Sequence, residues 1–184
     1  FRSKIVTLDD YLAACEKFVQ RSLEFGVVGF KDQSAYRRPL DYGNPPRHLA
    51  EAAFNRIIAH PRDVFSTAET RDLDDFVFHQ LMRLAAKTGL PVQFHTGHMA
   101  GLRHDVRQSN PGLLTPLLEL HADVNFDLFH GGWPYMGEFL FLGKNYPNVT
   151  LDLCWAEKID PQYCVDLIQR LVMTVPHNKV CEIG

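Results

Sequence analysis

The sequence predicts an α/β fold in which parallel strands alternate with helices, arranged as part of a (β/α)8 barrel. Short apolar runs alternate with segments of helical periodicity, which is typical of strands joined by crossover helices. Two of the apolar runs, Pro91–His95 and Val124–His130, each end in a histidine, and the two histidines lie 35 positions apart. That separation is about one strand–helix–strand unit. Both histidines are therefore expected at the same edge of one parallel sheet.

The first half of the chain predicts three helices and one strand. Thr7–Asp10 has the pattern of a capping box that opens a helix, and Gly89 is placed to end another. A polar, proline-rich stretch from Asp32 to Pro46 is expected to be irregular. The predicted elements are a helix over Leu8–Leu23, a strand over Gly26–Lys31, a short helix from Leu49 to about His60, and a helix over about Asp72–Lys87.

The second half predicts four strands with three helices between them. Proline is favoured in the first turn of a helix, so helices are expected to begin at Pro134 and, after an Asp160 cap, at Pro161. The predicted elements are strand Pro91–His95, helix Leu113–His121, strand Val124–His130, helix Pro134–Tyr146, strand Val149–Leu153, a helix from Pro161 and strand Lys179–Ile183. A doubly wound sheet alternates in the same way, but no glycine-rich phosphate-binding motif follows a predicted strand. Its commonest nucleotide-binding forms are thereby excluded.

Composition restricts the class of protein further. The net charge of −3 gives no reason to expect nucleic acid or an anionic membrane as a partner, and no apolar run approaches the ~20 residues of a membrane span. The four cysteines lack C-x-x-C spacing, which favours free thiols and a reducing, cytoplasmic location. The expected partners are a small-molecule substrate and, compatibly with this composition, a second copy of the chain in a homo-oligomer.

The chain is short for a complete barrel. Its 184 residues fall below the roughly 250 that are typical of a closed (β/α)8 barrel. The first residue is Phe1 rather than Met, and an apolar run reaches Gly184. We therefore expect residues 1–184 to form a single partial barrel domain, truncated at both ends, as a fragment of a longer protein.

The two strand-end histidines are the strongest candidates for chemistry. Active sites of (β/α)8 enzymes lie at the carboxyl ends of the strands, and neutral imidazoles are good ligands for a divalent metal, especially zinc. His95 and His130 are therefore predicted metal ligands. The alternative is that each histidine is only hydrogen-bonded at its strand end. Glycines at Gly97, Gly131 and Gly132 would let the backbone turn sharply beside a ligand.

Other polar residues follow the same strand ends. Lys31 ends the first predicted strand, where it could orient an anionic substrate or bridge two metals if carbamylated; a solvated strand-end lysine is the alternative. The loop after His95 supplies Asp105, Arg107 and Asn110 as predicted substrate-binding residues, with Arg107 suited to hold a carboxylate. Trp133 is predicted to line the substrate pocket, although packing alone would also explain it.

Taken together, these motifs resemble the amidohydrolase superfamily, in particular its amidohydrolase-2 type. The resemblance rests on Gly29-Phe-Lys31, His95-Thr-Gly, His130-Gly-Gly-Trp-Pro-Tyr and Tyr146-Pro-Asn-Val-Thr-Leu-Asp152. His95-Thr-Gly followed by Asp105, Arg107 and Ser109-Asn-Pro111 is also similar to the amidohydrolase-like domain found fused to glutamine-synthetase-like proteins.

The resemblance implies a place in the barrel for each of these residues. Lys31, His95 and His130 would fall on the fourth, fifth and sixth strands, so that the chain covers about strands 4 to 8. His95 and His130 would be metal ligands, and His130 and Lys31 catalytic. Some relatives carry a carbamylated lysine at the Lys31 position, but that role is not assigned here. The family's His-x-His of the first strand and the aspartate that ends the eighth are absent from this chain.

The function implied is that of a metal-dependent hydrolase in which a metal-activated water attacks a C–N or related bond. Zinc is the expected metal, and manganese or another divalent ion is compatible. The alternatives are a decarboxylase or hydratase on the same scaffold, or a non-catalytic regulatory or binding barrel domain. The isolated segment is expected to be inactive because much of the family's metal site lies outside it.

Overall fold

The computed structural model describes residues 5–102 and 104–181. The chain divides into two compact units, which are described separately. The first comprises the described part of Phe1–Val28 together with Gly43–Thr88, and the second comprises Gly29–Tyr42 with the described part of Gly89–Gly184. No helix in residues 5–102 and 104–181 combines the length and the apolar character that crossing a bilayer requires.

The first unit is helical. It contains α1 (Leu8–Glu24), α2 (Arg47–Ala59) and α3 (Thr67–Thr88). The predicted capping box opens α1, since the Asp10 backbone N–H donates to Thr7 Oγ1 (3.1 Å) and the Thr7 N–H donates to Asp10 Oδ2 (2.9 Å). The core of this unit is formed by buried apolar side chains from all three helices: Leu8, Ala50, Ala53, Phe54, Leu73 and Val77.

The second unit is a five-stranded parallel sheet with helices between its strands. The strands are β1 (Phe30–Asp32), β2 (Val92–Phe94), β3 (Phe126–Leu128), β4 (Val149–Asp152) and β5 (Val180–Cys181). The helices are α4 (Thr115–Leu120), α5 (Met136–Asn145), α6 (Ala156–Ile159) and α7 (Pro161–Thr174). The strands lie in the order β1-β2-β3-β4-β5. A doubly wound sheet reverses its strand order at a switch point, so the unbroken order is that of a barrel arc.

The sheet has an apolar face and a polar face. Successive side chains of a strand point to opposite faces, and the buried residues Phe94, Phe126, Leu128 and Leu151 form the core on one of them. The other face carries a row set by the register of the first four strands: Lys31, Gln93, Asp127 and Thr150. The helix-covered face of a barrel strand is apolar, so this polar row lies on the face that a barrel turns inward.

Several predicted boundaries are wrong for local reasons. β1 begins at Phe30 rather than Gly26, because the chain joins the sheet only where the Phe30 N–H donates to the Pro91 carbonyl (2.9 Å). α3 begins about five residues before Asp72, because Ser66 and Glu69 form a capping box that opens the helix at Thr67. Of the predicted last strand, Glu182 and Ile183 lie outside the described residues.

Two features of the second unit also differ from prediction. Pro134 does not begin a helix, because it lies in a turn that the Tyr135 N–H closes by donating to the Gly132 carbonyl (2.7 Å); α5 starts at Met136. The short helix α6 was not expected, since its sequence between β4 and Asp160 is too brief to show helical periodicity.

Candidate functional site

The two strand-end histidines meet at one edge of the sheet. His95 directly follows β2, and its N–H extends the ladder by donating to the Asp32 carbonyl (3.0 Å). His130 lies two residues beyond β3 in a left-handed conformation (φ 69°). Both are buried, with 7% of each residue exposed, and their ring centroids are 4.5 Å apart. His95 Nδ1 and His130 Nε2 face each other at 3.2 Å.

Outer hydrogen bonds determine which nitrogen of each ring carries the proton. His95 Nε2 is 2.5 Å from the carbonyl oxygen of His98, and His130 Nδ1 is 2.9 Å from the carbonyl oxygen of Cys154. A carbonyl oxygen only accepts, so each of these outer nitrogens must be the donor. In the neutral rings the facing nitrogens, His95 Nδ1 and His130 Nε2, therefore both present lone pairs.

Two lone pairs that face each other suit a shared cation. A zinc–nitrogen bond is ~2.0–2.1 Å, so two ligands at a tetrahedral angle stand about 3.3 Å apart. The observed separation of 3.2 Å between His95 Nδ1 and His130 Nε2 agrees with that spacing. Carbonyl partners on the outer nitrogens are also the usual support for metal-ligating imidazoles. The donor set of this chain thus fits a divalent metal.

The loops after β2 and β3 are held together by a close approach that only glycine permits. A Cβ atom on Gly97 would lie 2.3 Å from the Trp133 carbonyl oxygen, and Gly97 has a φ of 69°. The Thr96 hydroxyl donates to the Phe129 carbonyl across the same junction (2.6 Å). These contacts keep the two histidine-bearing loops side by side.

Burial lowers the pKa of both imidazoles. For His95 the pKa falls to about 4, chiefly through burial, and the nearby His130 and Lys31 lower it further. For His130 burial again dominates and lowers the pKa. Both rings are consequently neutral at physiological pH, which is the protonation state that metal ligation requires.

Lys31 lies on the polar face of the sheet. Its Nζ lies 3.4 Å from the centroid of the Phe129 ring. Burial lowers the pKa of Lys31 to about 8, although the carboxylates of Asp127 and Asp152 oppose that shift. The amine is therefore mainly protonated at neutral pH and places a positive charge beside the histidine pair.

A second group of polar side chains on this face was not predicted from the sequence. Potential ligand atoms of Asp127, Asp152 and Cys181 lie within 4.8 Å of one another. Burial raises the pKa of Asp127 to about 6 and that of the Cys181 thiol to about 12. The signal that could have found Asp127 is strand alternation, since Asn125 and Asp127 alternate with the apolar residues Val124, Phe126 and Leu128.

The predicted substrate-binding residues of the loop bond mainly within that loop. Arg107 is 85% exposed at its side chain and forms a bidentate pair with Asp105, with Nη2 2.6 Å from Oδ2. Asn110 Oδ1 accepts from the Gly112 N–H (2.8 Å) and thus caps a short helical turn. Asp105 and Arg107 thus bond to each other, and Asn110 bonds to Gly112 and to Glu138 of α5.

Aromatic side chains surround the histidine pair instead. The Trp133 ring lies 6.0 Å from that of His98, whose carbonyl oxygen holds His95. The Tyr36 ring lies 4.8 Å from the His95 ring, and the Trp155 ring lies 5.9 Å from the His130 ring. Trp133 therefore lies near the histidine pair, and Tyr36 contacts the pair from the proline-rich stretch, where sequence alone offered no signal.

Comparisons with known proteins agree with this architecture. A family model described as amidohydrolase matches residues 21–181. The chain is 34% identical over 135 residues to Protein fluG of Emericella nidulans, a match that covers 69% of this chain and 16% of that protein.

Solved structures show the same fold. A protein of Lactobacillus casei classed as a metal-dependent hydrolase superposes with a TM-score of 0.79 at 22% identity, over 96% of this chain and 47% of that one. Uronate isomerase of Thermotoga maritima gives a TM-score of 0.71 at 17% identity, over 92% of this chain and 40% of that one. The chain thus spans less than half of each of these structures. The predicted partial (β/α)8 fold is confirmed, and by its family match the chain belongs to the amidohydrolase family.

Proposed function

We propose that this chain is part of a metal-dependent hydrolase that cleaves a C–N or related bond of a small molecule. The observation that carries the proposal is the pair of inward lone pairs on His95 and His130, 3.2 Å apart and buried. Membership of the amidohydrolase family supports the reaction class. The match to a structure classed as a metal-dependent hydrolase supports the fold on which such a site is built.

In this proposal His95 Nδ1 and His130 Nε2 hold a divalent ion, with zinc as the expected metal. When bound, such an ion supplies Lewis acidity and lowers the pKa of water toward ~7. Catalytic zinc usually has three protein ligands, so the proposal includes at least one further ligand from outside residues 1–184. The isolated chain is accordingly expected to have little activity.

In this proposal the remaining residues of the site bind the substrate. Lys31 would draw an anionic group of the substrate toward the polar face, since its amine is mainly protonated below its pKa of about 8. Trp133 would form one wall of the pocket. Arg107, Asp105 and Asn110 would contact only a substrate that extends over the loop after β2, because their polar groups have partners there. All four cysteines are thiols, which fits the proposed cytoplasmic location.

Calorimetric titration of the metal-stripped protein with Zn2+ and Mn2+ tests the proposal, followed by assays on a panel of linear and cyclic amides. One tightly bound ion per chain and amine release in the longest available form of the protein would support it. Metal binding with CO2 release from carboxylic acids, and no amide cleavage, would replace it with a decarboxylase. Absence of any bound divalent ion in that longest form would contradict it and favour a non-catalytic binding domain.

A further inference from the structure

The turn that follows β4 has an unusual backbone. The Ala156 N–H donates to the Leu153 carbonyl (2.8 Å), which closes a four-residue turn. Its third residue, Trp155, has a φ of 66° and a ψ of 0°. The φ of its second residue, Cys154, is not positive. A third residue with these angles after a second residue without positive φ matches a type II turn, in which the third position normally belongs to glycine or asparagine. A tryptophan in the left-handed region is an outlier of the kind that clusters at functional sites.

The turn type decides where the Cys154 carbonyl points. Types I and II differ in the orientation of the peptide between their second and third residues, here Cys154 and Trp155. In this turn the Cys154 carbonyl oxygen accepts from His130 Nδ1 (2.9 Å), and the pair is buried. A type I turn would rotate that oxygen away. The left-handed conformation of Trp155 therefore orients the Cys154 carbonyl oxygen so that it accepts the proton on His130 Nδ1.

A buried carboxylate accepts a hydrogen bond from the backbone N–H of Cys154, the residue whose carbonyl oxygen faces His130. Asp152 is fully buried at the end of β4, and its Oδ1 accepts from the Cys154 N–H (2.7 Å). A side chain that bonds to the backbone two residues on is a standard way to fix a turn. Asp152 thus fixes the Cys154 backbone whose carbonyl oxygen faces His130.

We propose that Asp152 is a positioning residue that acts through the Cys154 backbone to keep the His130 proton on Nδ1 and its Nε2 lone pair toward His95. Its importance for metal affinity rests on the proposed function, but its effect on the His130 ring does not. The acceptor oxygen of Asp152 performs this role, so its negative charge is not required. Glycine at position 155 would preserve the turn, because glycine adopts the left-handed conformation without strain.

Nitrogen NMR of the metal-free protein, labelled in its histidine rings, tests the proposal at about pH 8, where imidazoles are neutral. We expect the wild-type His130 proton on Nδ1. Asp152→Ala should move a measurable part of the population to Nε2–H. Asp152→Asn should keep the wild-type pattern, since its amide oxygen can accept the same N–H. Trp155→Gly should keep it as well, whereas Trp155→Val, β-branched and disfavoured at positive φ, should lose it.

Zinc affinity is the second measurement. Asp152→Ala should weaken Zn2+ binding by about 10- to 100-fold, the usual cost of losing a group that orients a metal ligand, whereas Asp152→Asn and Trp155→Gly should stay near wild type. An unchanged ring pattern in Asp152→Ala, or equal loss in Asp152→Ala and Asp152→Asn, would overturn the proposal. If Asp152→Ala does not fold, Asp152→Asn decides, since loss of the wild-type ring pattern in that variant would also overturn the proposal. The wild type and its variants could show the predicted ring protonation while the wild type binds no zinc. That result would contradict the proposed function but would support the positioning role of Asp152.

Discussion

At the residue scale, the site depends on which nitrogen of each histidine ring carries the proton and which one carries the lone pair. One nitrogen of each ring donates to a backbone carbonyl, and the other faces its partner ring at 3.2 Å. A protonated ring would need both nitrogens as donors. The burial that lowers both pKa values therefore also keeps the facing nitrogens available as ligands.

Replacing either histidine should abolish metal binding while leaving the fold in place. His95→Ala and His130→Ala each remove one ligand, so we expect Zn2+ affinity to fall by more than about 100-fold, beyond the loss caused by removing an orienting group. Competition titration with a chromogenic chelator measures this, and circular dichroism monitors the fold. His48→Ala, at an exposed position of α2, is the matched control and should bind zinc like wild type. Wild-type affinity in either site variant would remove that residue from the site.

Asp127 should make stability depend on pH. Burial raises its pKa from 3.8 in the unfolded chain to about 6 in the folded one. Between these values the folded state retains a proton that the unfolded state has lost, so stability falls as pH rises from about 4 to 6. Asp127→Asn should thus be more stable than wild type at pH 7, by about 1 kcal/mol after allowance for solvent screening.

Urea unfolding of wild type and Asp127→Asn at pH 4 and pH 7 measures this difference. The gain should be much smaller at pH 4, where Asp127 is protonated in the folded state and partly protonated in the unfolded one. An equal gain at both pH values would show that packing, and not the ionisation of Asp127, is responsible.

The metal-ligand candidates were predictable at this scale, but the groups that orient them were not. His95 and His130 end apolar runs, which is visible in the sequence. The carbonyl partners at His98 and Cys154 depend on loop conformation, which residue type does not encode. Asp127 and Asp152 escaped prediction because strands of three and four residues are too short to establish an alternating pattern firmly.

At the scale of elements, the loops after β2 and β3 depend on one close contact. A Cβ at Gly97 would meet the Trp133 carbonyl oxygen at 2.3 Å, and its φ of 69° is unfavourable for other residues. Gly97→Ala should therefore separate the two loops, lower stability by about 1–3 kcal/mol and weaken zinc binding. Thermal unfolding and zinc titration measure both effects.

Gly137 is the matched control for that substitution. It lies in the first turn of α5, where an added Cβ would meet nothing within 4 Å. Gly137→Ala should leave zinc binding unchanged and raise stability by up to about 1 kcal/mol. Similar behaviour of the two variants would mean that the contact at Gly97 does not hold the loops together.

Elements with local signals were predicted well, and those defined by tertiary contacts were not. The α1 capping box and the Asp160 cap of α7 use side chains a few residues from the bonds they make, and both were predicted correctly. The start of β1 depends on pairing with Pro91, about sixty residues away along the chain. Propensity alone does not contain such a partner.

At the scale of the whole molecule, the sheet is an arc whose two outer strands each have one neighbour among the described strands. β1 and β5 occupy the ends of the order, and β2 to β4 are paired on both sides. Amides of β2 to β4 should therefore exchange with deuterium more slowly than those of β1 and β5 in this 184-residue chain. Hydrogen-exchange mass spectrometry measures the difference. Equal protection in all five strands would indicate that a further strand, from a second copy or elsewhere, pairs with the outer ones.

The proposed site depends above all on His95 and His130 jointly binding one divalent metal through their facing nitrogens. A crystal structure of the protein with Zn2+, with anomalous data collected at the zinc edge, tests it most directly. We expect an anomalous peak ~2.0–2.1 Å from both His95 Nδ1 and His130 Nε2, with the outer nitrogens still donating to His98 and Cys154. A peak at Asp127, Asp152 and Cys181 instead, or none between the two rings at saturating zinc, would contradict it.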